Sequence, residues 1–241
     1  MFSLKLKTYH YVGKAAALFG MHATRLAKHP SKTMLGLVGR PFDLILDVGA
    51  NVGQFAKEAR AKFPAAHIVS FEPLPGPYAE LAAWAKADGN ARAVNCALGA
   101  ADSVLPINLH VAHSASSSLL ATHADGVERY PQMAEQVQIE VPVRRLDDVL
   151  AELDCAITPA TLVKLDVQGF EELVLSGAGN TLRRAGALLT EVSLDAMYEG
   201  QAEFYALCRL AEAAGLRYAG NYAQFLAEDG HVIFLDALFV R

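Results

Sequence analysis

A short stretch of the chain places an acid and two glycines where a strand would pass into a helix. Asp47 lies at the end of an apolar run, Gly49 and Gly53 follow it, and a helix is predicted from Gln54. A glycine turn lets the backbone approach a nucleotide-like ligand, because glycine has no Cβ. The spacing lacks the G-x-G-x-x-G motif of dinucleotide sites, and a carboxylate stands where pyrophosphate would approach. The acid instead suits a positively charged ligand, such as the ammonium and sulfonium groups of S-adenosylmethionine.

Further polar residues are spaced to bind the rest of such a ligand. Glu72 ends the second predicted strand, where a carboxylate can accept both ribose hydroxyl protons, although it also fits the entry to a helix. Asn51 is expected in a left-handed turn position, and Asp47 also fits a turn-stabilising contact. Asn95 closes the third strand with Cys96 and Ala97, where an adenine ring is expected. The predicted cofactor-binding residues are therefore Asp47, Gly49, Asn51, Gly53, Glu72, Asn95 and Asp166.

Asp166, Glu191 and His113 are the candidate catalytic residues. Methyl transfer needs alignment of the reacting atoms, and an acceptor that carries a proton also needs a base to remove it. Asp166 ends the fourth predicted strand, two residues after Lys164 on the same face, so it either contacts donor and acceptor or forms a buried ion pair. Glu191 ends the fifth strand and is a candidate base on the acceptor side. His113 lies in the polar segment 112–136 and is solvated unless that segment folds over the acceptor.

Other acids and histidines have structural explanations at least as good. Glu171 falls in the first turn of a helix, where the helix dipole favours an acid. Asp236 lies inside an apolar strand, where a buried carboxylate is expected to be structurally paired. No metal site is predicted, because the histidines of residues 110–123 are irregularly spaced and Asp147 and Asp148 fit a helix start.

Apolar strands alternate with helical stretches from Leu44 onward, which predicts a mainly parallel sheet with helices on both faces. The alternation breaks at residues 102–146, where two strand-like segments flank the polar segment. A connection of that length suggests a substrate-facing insertion or lid. A hairpin around Asp229 and Gly230 closes the sheet, as in the class I methyltransferase (Rossmann-like) α/β architecture. The strands are predicted at Leu44–Val48, His67–Phe71, Arg92–Leu98, Leu162–Val167, Leu188–Val192, Tyr222–Leu226 and Val232–Val240, and one helix is predicted from Gly169 to about Gly177–Gly179.

The bulk properties predict one globular domain with a basic leader. The chain has 241 residues, 53% hydrophobic and 20% charged, and no apolar run long enough for a membrane span. Its three scattered cysteines favour a reducing, cytoplasmic location. Residues 1–41 contain seven lysines and arginines and no acid. This leader either packs on the acidic domain 42–241 or contacts anionic lipid at the inner face of the membrane. A pI near 5.9 argues against nucleic acid as a partner.

Several ordered segments resemble the FkbM family of S-adenosylmethionine-dependent methyltransferases. The resemblance covers about residues 42–241. It implies S-adenosylmethionine as cofactor and O-methylation of sugars, glycolipids or polyketide-type hydroxyls. Gln168 departs from the glutamate of many family members, which removes one candidate base. The segments that carry the resemblance are Asp47–Phe55, Ser70–Pro73, Asn95–Gly99, Ser116–Leu119, Arg145–Asp148, Lys164–Glu171, Glu191–Ser193 and Asp236–Val240.

The main hypothesis is therefore an O-methyltransferase acting on a hydroxyl of a sugar, in a surface glycan or a lipid-linked glycan precursor. A methyltransferase for a polyketide or peptide acceptor is the alternative enzyme. A non-catalytic nucleotide-binding scaffold is the alternative from another class, and the intact set of Lys164, Asp166 and Glu171 argues against it. A nicotinamide oxidoreductase is disfavoured by the absent glycine motif.

Overall fold

A computed structural model of the chain describes residues 12, 14–19, 21 and 30–241. Within these residues the chain forms ten strands that belong to two sheets. The strands are β1 (Leu44–Val48), β2 (His67–Phe71), β3 (Ala91–Val94), β4 (Ala97–Leu98), β5 (Ser103–His110), β6 (Gln136–Arg144), β7 (Thr161–Leu165), β8 (Ala187–Ser193), β9 (Arg217–Leu226) and β10 (Val232–Val240).

The helices of residues 30–241 lie mostly between strands of the larger sheet. Short 3-10 helices cover Met34–Gly39, Ser114–Ser116 and Pro131–Met133. The α-helices are α1 (Pro30–Thr33), α2 (Gln54–Lys62), α3 (Pro75–Asp88), α4 (Ala124–Arg129), α5 (Leu146–Glu152), α6 (Glu171–Ser176), α7 (Gly179–Arg184) and α8 (Phe204–Ala213).

The larger sheet has seven strands in the order β3-β2-β1-β7-β8-β10-β9. The first five are parallel, and β10 pairs antiparallel with both β8 and β9. From β1 the chain adds β2 and β3 on one side of the sheet and later adds β7 and β8 on the other side. The strand order therefore reverses between β1 and β7. In open α/β sheets, ligands bind at such a point, outside the carboxyl ends of the strands. The predicted mainly parallel sheet with a closing antiparallel hairpin is confirmed.

Both faces of this sheet are buried, which explains why its central strands are nearly continuous apolar runs. All five residues of β1 and of β7 are buried. One hydrophobic cluster contains Leu46 and Leu165, and the cluster on the other face contains Ile45 and Leu162. Asp47 and Lys164 interrupt the apolar runs as register partners on neighbouring strands. These two charges therefore lie side by side at the centre of the sheet.

The region predicted as an insertion forms a second sheet of three strands, in the order β4-β6-β5. The prediction of a single strand over Arg92–Leu98 is wrong, because the chain leaves the large sheet after Val94. The side chain of Asn95 donates hydrogen bonds to the carbonyl oxygens of Glu72 and Pro73 over 2.9 and 3.1 Å. It thereby turns the chain away, so that Ala97–Leu98 pairs with β6 instead.

The single helix predicted after Gly169 is also wrong, since two short helices occupy that region. The carboxylate of Asp147 accepts hydrogen bonds from the backbone amides of Asn180 and Thr181, both over 2.9 Å. Such bonds satisfy the free N–H groups at the start of α7. In the hairpin, β9 begins five residues before the predicted Tyr222, because Gly220 and the irregular register with β10 hide the alternation.

The predicted leader lies partly outside the described residues. Residues 14–17 are helical, and Leu18 and Phe19 are exposed. Met34 and Leu37 are buried and pack with Ile45, so the packed body begins before residue 42. In the described ranges no helix is both long and apolar enough to cross a membrane. Lipid contact by the leader stays a prediction.

Candidate active site

Three pockets meet at the carboxyl edge of the parallel strands, and Asp166 and Ala115 border all of them. The strand-end pocket lies over β1, β2 and β7 and reaches Glu72 and Cys96. The helix-side pocket lies beside the start of α2 and is bordered by Lys164. The loop-side pocket lies between the ends of β8 and β10 and the segment after β5. Asp166 thus offers a carboxylate to all three pockets.

The glycine turn after β1 is shaped by the strand beside it. Gly49 has a φ of +75°, and a Cβ at this position would overlap the main-chain carbonyl of Asp166. Gly49 therefore permits the ends of β1 and β7 to approach each other, and it borders both the strand-end and helix-side pockets. Asn51 has a φ of +48°, so its predicted left-handed conformation is confirmed. The side chain of Asn51 donates to Ser114 Oγ over 3.1 Å.

Glu72 lies at the end of β2 with its carboxylate in the wall of the strand-end pocket. One oxygen accepts a hydrogen bond from the amide of Asn51 and the other from the amide of Leu74, both over 2.8 Å. Burial raises the pKa of Glu72 to about 7, against the effect of these two donors. Each oxygen keeps a free lone pair, so the carboxylate can still accept hydroxyl protons from a ligand.

Asp47 lies beneath the site and borders none of the three pockets. Its carboxylate is fully buried, and one oxygen lies 3.4 Å from Lys164 Nζ. Neither oxygen receives a hydrogen bond from the described residues. Burial raises the pKa of Asp47, and the charge of Lys164 opposes that rise. In this structure Asp47 acts on the pockets through Lys164 rather than by touching their contents.

Two other predicted cofactor residues lie outside the pocket walls. Gly53 is the left-handed N-cap of α2, and a Cβ there would lie 3.0 Å from Leu81 Cδ1. Asn95 is exposed and braces the loop after β2, as described above. The neighbouring residues Cys96 and Ala97 border the strand-end pocket instead. The sequence could not separate these three neighbours, because all of them end the same predicted strand.

Asp166 and Glu191 are brought together by Gln168. The Nε2 atom of Gln168 donates to Asp166 Oδ1 over 2.6 Å and to Glu191 Oε1 over 2.9 Å. Asp166 also lies 3.3 Å from Lys164 Nζ, so the ion pair considered for it is present. It also borders the pockets, and its contact with a donor or acceptor stays a prediction. The charges of Asp166 and Asp47 raise the pKa of Lys164 despite its burial.

Glu191 borders only the loop-side pocket. Burial raises its pKa well above the ordinary value, and the nearby acids Asp166, Glu171 and Asp236 raise it further. A carboxylate with a raised pKa is a stronger base than an ordinary one, which suits general base chemistry. Glu171 is buried and accepts hydrogen bonds from the amides of Val167 and Gly169, so it holds the loop before α6 rather than capping the helix itself.

The predicted structural pairing of Asp236 is wrong. Among the described residues no hydrogen bond or ion pair reaches its carboxylate, which borders the helix-side pocket opposite Lys164. Burial and the nearby Asp166 raise the pKa of Asp236 to about 6. The acid lies in an apolar strand because it faces a cavity rather than the core.

His113 is exposed and borders the loop-side pocket, where its Nδ1 lies 3.2 Å from Ser116 Oγ. The segment that carries it is anchored from below by His110, which is fully buried between Ser116 Oγ and Thr122 Oγ1. Burial lowers the pKa of His110. This histidine is therefore a structural part of the segment, whereas His113 faces the pocket.

Sequence reasoning missed several residues of the loop-side pocket. Tyr198 and Met197 come from the connection between β8 and α8, and Phe225 and Phe234 come from the closing hairpin. No motif marks any of them, since their nearness depends on the sheet order. Residues 12, 14–19, 21 and 30–241 contain no group of three histidines, cysteines or acids that could hold a metal ion.

The strand-end pocket has the chemical groups that S-adenosylmethionine requires. The Glu72 carboxylate offers acceptors for ribose hydroxyls, and Phe71, Cys96, Leu98 and Leu119 give an apolar wall for a base. Lys164 and Asp166 offer opposite charges next to this pocket for the amino-acid end. The residues present therefore fit the donor.

The fold is that of class I methyltransferases. The crystal structure of Methyltransferase FkbM from Methylobacillus flagellatus superposes with a TM-score of 0.51 at 12% identity, over 84% of this chain and 44% of that one. The model of the Methyltransferase FkbM domain matches residues 47–218. The chain belongs to the FkbM family of S-adenosylmethionine-dependent methyltransferases, which confirms both the resemblance and the predicted cofactor.

Its relatives include several named methyltransferases. Methyltransferase sdnD of Sordaria araneosa is 29% identical over 70% of this chain and 72% of its own length. The 31-O-demethyl-FK506 methyltransferase FkbM of Streptomyces tacrolimicus is 34% identical, over 59% and 62% respectively. The 2-O-methyltransferase NoeI of Sinorhizobium fredii is 27% identical, over 74% and 75%.

Proposed function

We propose that this methyltransferase transfers the methyl group of S-adenosylmethionine to a hydroxyl of a sugar, in a glycan or a lipid-linked glycan precursor. One observation carries the proposal. Asp166 and Glu191 lie on either side of Gln168, where the strand-end pocket meets the loop-side pocket. A hydroxyl acceptor needs a base beside the transferred methyl group, and these are the acids at that junction.

The strand-end pocket is the donor side of this proposal. Glu72 holds the ribose, the apolar wall near Cys96 holds the base, and Asp166 with Lys164 holds the amino-acid end. When bound, the donor supplies an activated methyl group on a positively charged sulfur. The protein then has to align the acceptor oxygen with that methyl group, and alignment of this kind contributes several kcal/mol, roughly 7–11 in favourable cases.

The loop-side pocket is the acceptor side. Tyr130, Phe225 and Phe234 supply aromatic surface, while Gln132 and Ser193 supply hydrogen-bonding groups. A sugar presents both kinds of surface, since its C–H groups pack on aromatic rings and its hydroxyls bind polar side chains. This mixture supports a sugar acceptor over a purely apolar one.

Glu191 is the proposed base, since it borders only the acceptor pocket and its pKa is raised. The proton of the acceptor hydroxyl passes to its carboxylate as the oxygen takes the methyl group. His113 remains the second candidate, because it borders the same pocket. The two differ in exposure: Glu191 is partly buried, which raises its pKa, whereas His113 is exposed.

The names of two relatives support hydroxyl methylation. NoeI is a 2-O-methyltransferase, and the Streptomyces relative is a 31-O-demethyl-FK506 methyltransferase. A polyketide or peptide acceptor is the second candidate, and the apolar residues Met133, Met197 and Phe225 of the loop-side pocket favour it. We further propose a cytoplasmic enzyme whose basic leader contacts the membrane that carries a lipid-linked acceptor.

Donor binding is the first test. We expect S-adenosylhomocysteine to bind the purified chain in calorimetry, with NAD as the negative control. Glu72→Ala should weaken binding at least tenfold, because both ribose acceptors are lost, which corresponds to about 1.4 kcal/mol. Glu80→Ala, an exposed acid on α3, should leave binding unchanged.

The acceptor class is tested with labelled methyl donor on two panels, one of methyl glycosides and oligosaccharides and one of hydroxylated macrolides. Label on the glycans that Glu191→Gln abolishes would support the proposal. Label only on macrolides would replace the sugar with the second candidate. Methyl transfer that Glu191→Gln leaves unchanged would remove Glu191 from its proposed role.

A further inference from the structure

The side-chain amide of Gln168 lies between the two acids of the reaction centre. Both hydrogens of Nε2 are in use, one to Asp166 Oδ1 and one to Glu191 Oε1. Two carboxylates that share one hydrogen-bond donor lie close enough to repel each other, and the neutral amide between them offsets that repulsion. The amide thus fixes where each acid points.

The side-chain amide of Gln168 has bonding partners at both its nitrogen and its oxygen. Asp166 pairs with Lys164 at 3.3 Å, so its carboxylate only accepts, and the amide nitrogen has to face it. At the other end, the hydroxyl of Tyr198 lies 2.8 Å from Gln168 Oε1 and 2.7 Å from the carbonyl of Ser116. The phenol has one hydrogen, so these two carbonyl oxygens share it. A flipped amide would point its oxygen at the acids and lose both bonds to them, so the acids decide the orientation and Tyr198 supports the other end of the amide.

The backbone around Gln168 is held in a conformation that aims this side chain at the site. Gln168 has a φ of +57°, a left-handed conformation that is unfavourable for a non-glycine residue. Ser118 Oγ donates to the Gln168 carbonyl over 2.7 Å, and Glu171 accepts from the amides of Val167 and Gly169 on either side. The connection is therefore fixed before any ligand binds.

We propose that Gln168, supported by Tyr198, is the positioning residue that holds Asp166 towards the donor pocket and Glu191 towards the acceptor pocket. The inference rests on the proposed function, because it assigns the two acids to opposite substrates. It adds a role for the hydroxyl of Tyr198, which links this amide to the segment carrying Ser116. Neither Gln168 nor Tyr198 takes up a proton in this arrangement.

The ionisation of Glu191 gives a readout that needs no acceptor. The groups that face Glu191 are Asp166, Glu171, Asp236, Lys164 and the phenol of Tyr198. An amide N–H bonded to a carboxylate stabilises its charged form, so loss of that donor raises the pKa of the acid. A side chain that served only to fill space would not change this value.

The test is a titration of the Glu191 carboxyl by 13C NMR, with its signal assigned by its loss in Glu191→Gln. Gln168→Met removes the donor at similar volume and should raise the pKa of Glu191 by about one unit. Tyr198→Phe should raise it by less, because the amide keeps its donors but loses the hydroxyl that supports its oxygen end. Gln136→Met and Tyr205→Phe change exposed residues of the same types and should leave the value unchanged.

An unchanged pKa of Glu191 in both Gln168→Met and Tyr198→Phe would overturn the inference. If Gln168→Met does not fold, Tyr198→Phe decides alone, since it removes one oxygen atom. Calorimetry with S-adenosylhomocysteine on the same samples keeps the two proposals apart. Absent donor binding in the unmodified chain would remove the proposed function, whereas the titration would still report whether the amide controls Glu191.

Discussion

At the scale of single residues, the site depends on how closely two strand ends approach. Gly49 and the carbonyl of Asp166 leave no space for a Cβ between them. The same glycine that sequence reasoning assigned to ligand approach therefore has a second partner within the protein. Loss of this contact would separate the glycine turn from the acid that borders all three pockets.

Gly49→Ala and Gly53→Ala form a matched pair, since both glycines have positive φ. We expect Gly49→Ala to lower the free energy of unfolding by more than about 3 kcal/mol, because its new Cβ meets a backbone carbonyl. Gly53→Ala should cost about 1–2 kcal/mol, because its Cβ meets the end of the Leu81 side chain, which can move. Urea denaturation measures both, and equal losses would contradict this account.

Glu171 makes the stability of the fold depend on pH. Burial raises its pKa from 4.5 to about 7, so the folded state holds this proton more tightly than the unfolded chain does. Its contribution is fully present below about pH 4.5 and is lost as the pH rises towards about 7. The loss amounts to at most about 3.5 kcal/mol, at about 1.4 kcal/mol per pKa unit.

Glu171→Gln should remove this part of the pH dependence, because the amide stays neutral and its oxygen can still accept from Val167 and Gly169. The variant should gain stability relative to the unmodified chain between about pH 5 and about pH 8. Urea denaturation at a series of pH values measures the difference. Glu172→Gln, at the exposed neighbouring position, should follow the unmodified chain throughout.

At the scale of elements, the segment between β5 and β6 joins the parts of the site. Ser114 accepts from Asn51, Ser118 donates to the Gln168 carbonyl, and the carbonyl of Ser116 faces the hydroxyl of Tyr198. The segment therefore contacts the glycine turn, the loop after β7 and the loop after β8. A ligand that fills the strand-end pocket would touch the same segment.

S-adenosylhomocysteine should slow hydrogen exchange in residues 114–119. Ala115, Ser117 and Leu119 border the strand-end pocket, so a bound ligand would restrict their opening. Hydrogen-exchange mass spectrometry measures the effect, with peptides from α8, which borders none of the three pockets, as the internal control. Unchanged exchange in this segment despite saturating ligand would mean that it takes no part in donor binding.

The elements were predictable where local patterns decide them. β1, α2 and β2 begin and end at the predicted residues, because apolar runs, glycines and prolines mark them. The break at Asn95 was not predictable, since it depends on carbonyls of the loop after β2. The separate helix α7 was missed for the same reason, because its capping acid, Asp147, comes from another element.

At the scale of the whole molecule, the sequence could place the acids at one edge of the sheet but not say what each acid faces. Glu72, Asp166 and Glu191 were predicted as strand ends, and parallel strands bring such ends together. Asp47 lies under the site, whereas Asp236 faces a pocket. The difference depends on which side of each strand packs against neighbouring elements. That information is not present in any single strand.

The charge of the leader is also a property of the whole molecule. We expect the full chain to float with vesicles that contain anionic lipid and a chain without residues 1–29 to float less. Five lysines and arginines are then removed, each contributing about 1 kcal/mol near such a surface, while the buried Met34 and Leu37 are kept. Neutral vesicles and high salt are the controls. Equal flotation of both chains would remove the proposed membrane contact.

The sheet order also constrains how the molecule is made. β9 is synthesised before β10, yet β10 lies between β9 and β8, so β9 has no place in the sheet until the later strand exists. The two strands are joined by a tight turn and can pair early, because the loop between them is short. We expect them to dock on β8 as a preformed hairpin. Phe225 and Phe234, which stack across this hairpin at 4.2 Å, then bring one wall of the loop-side pocket into place in a single late step of folding.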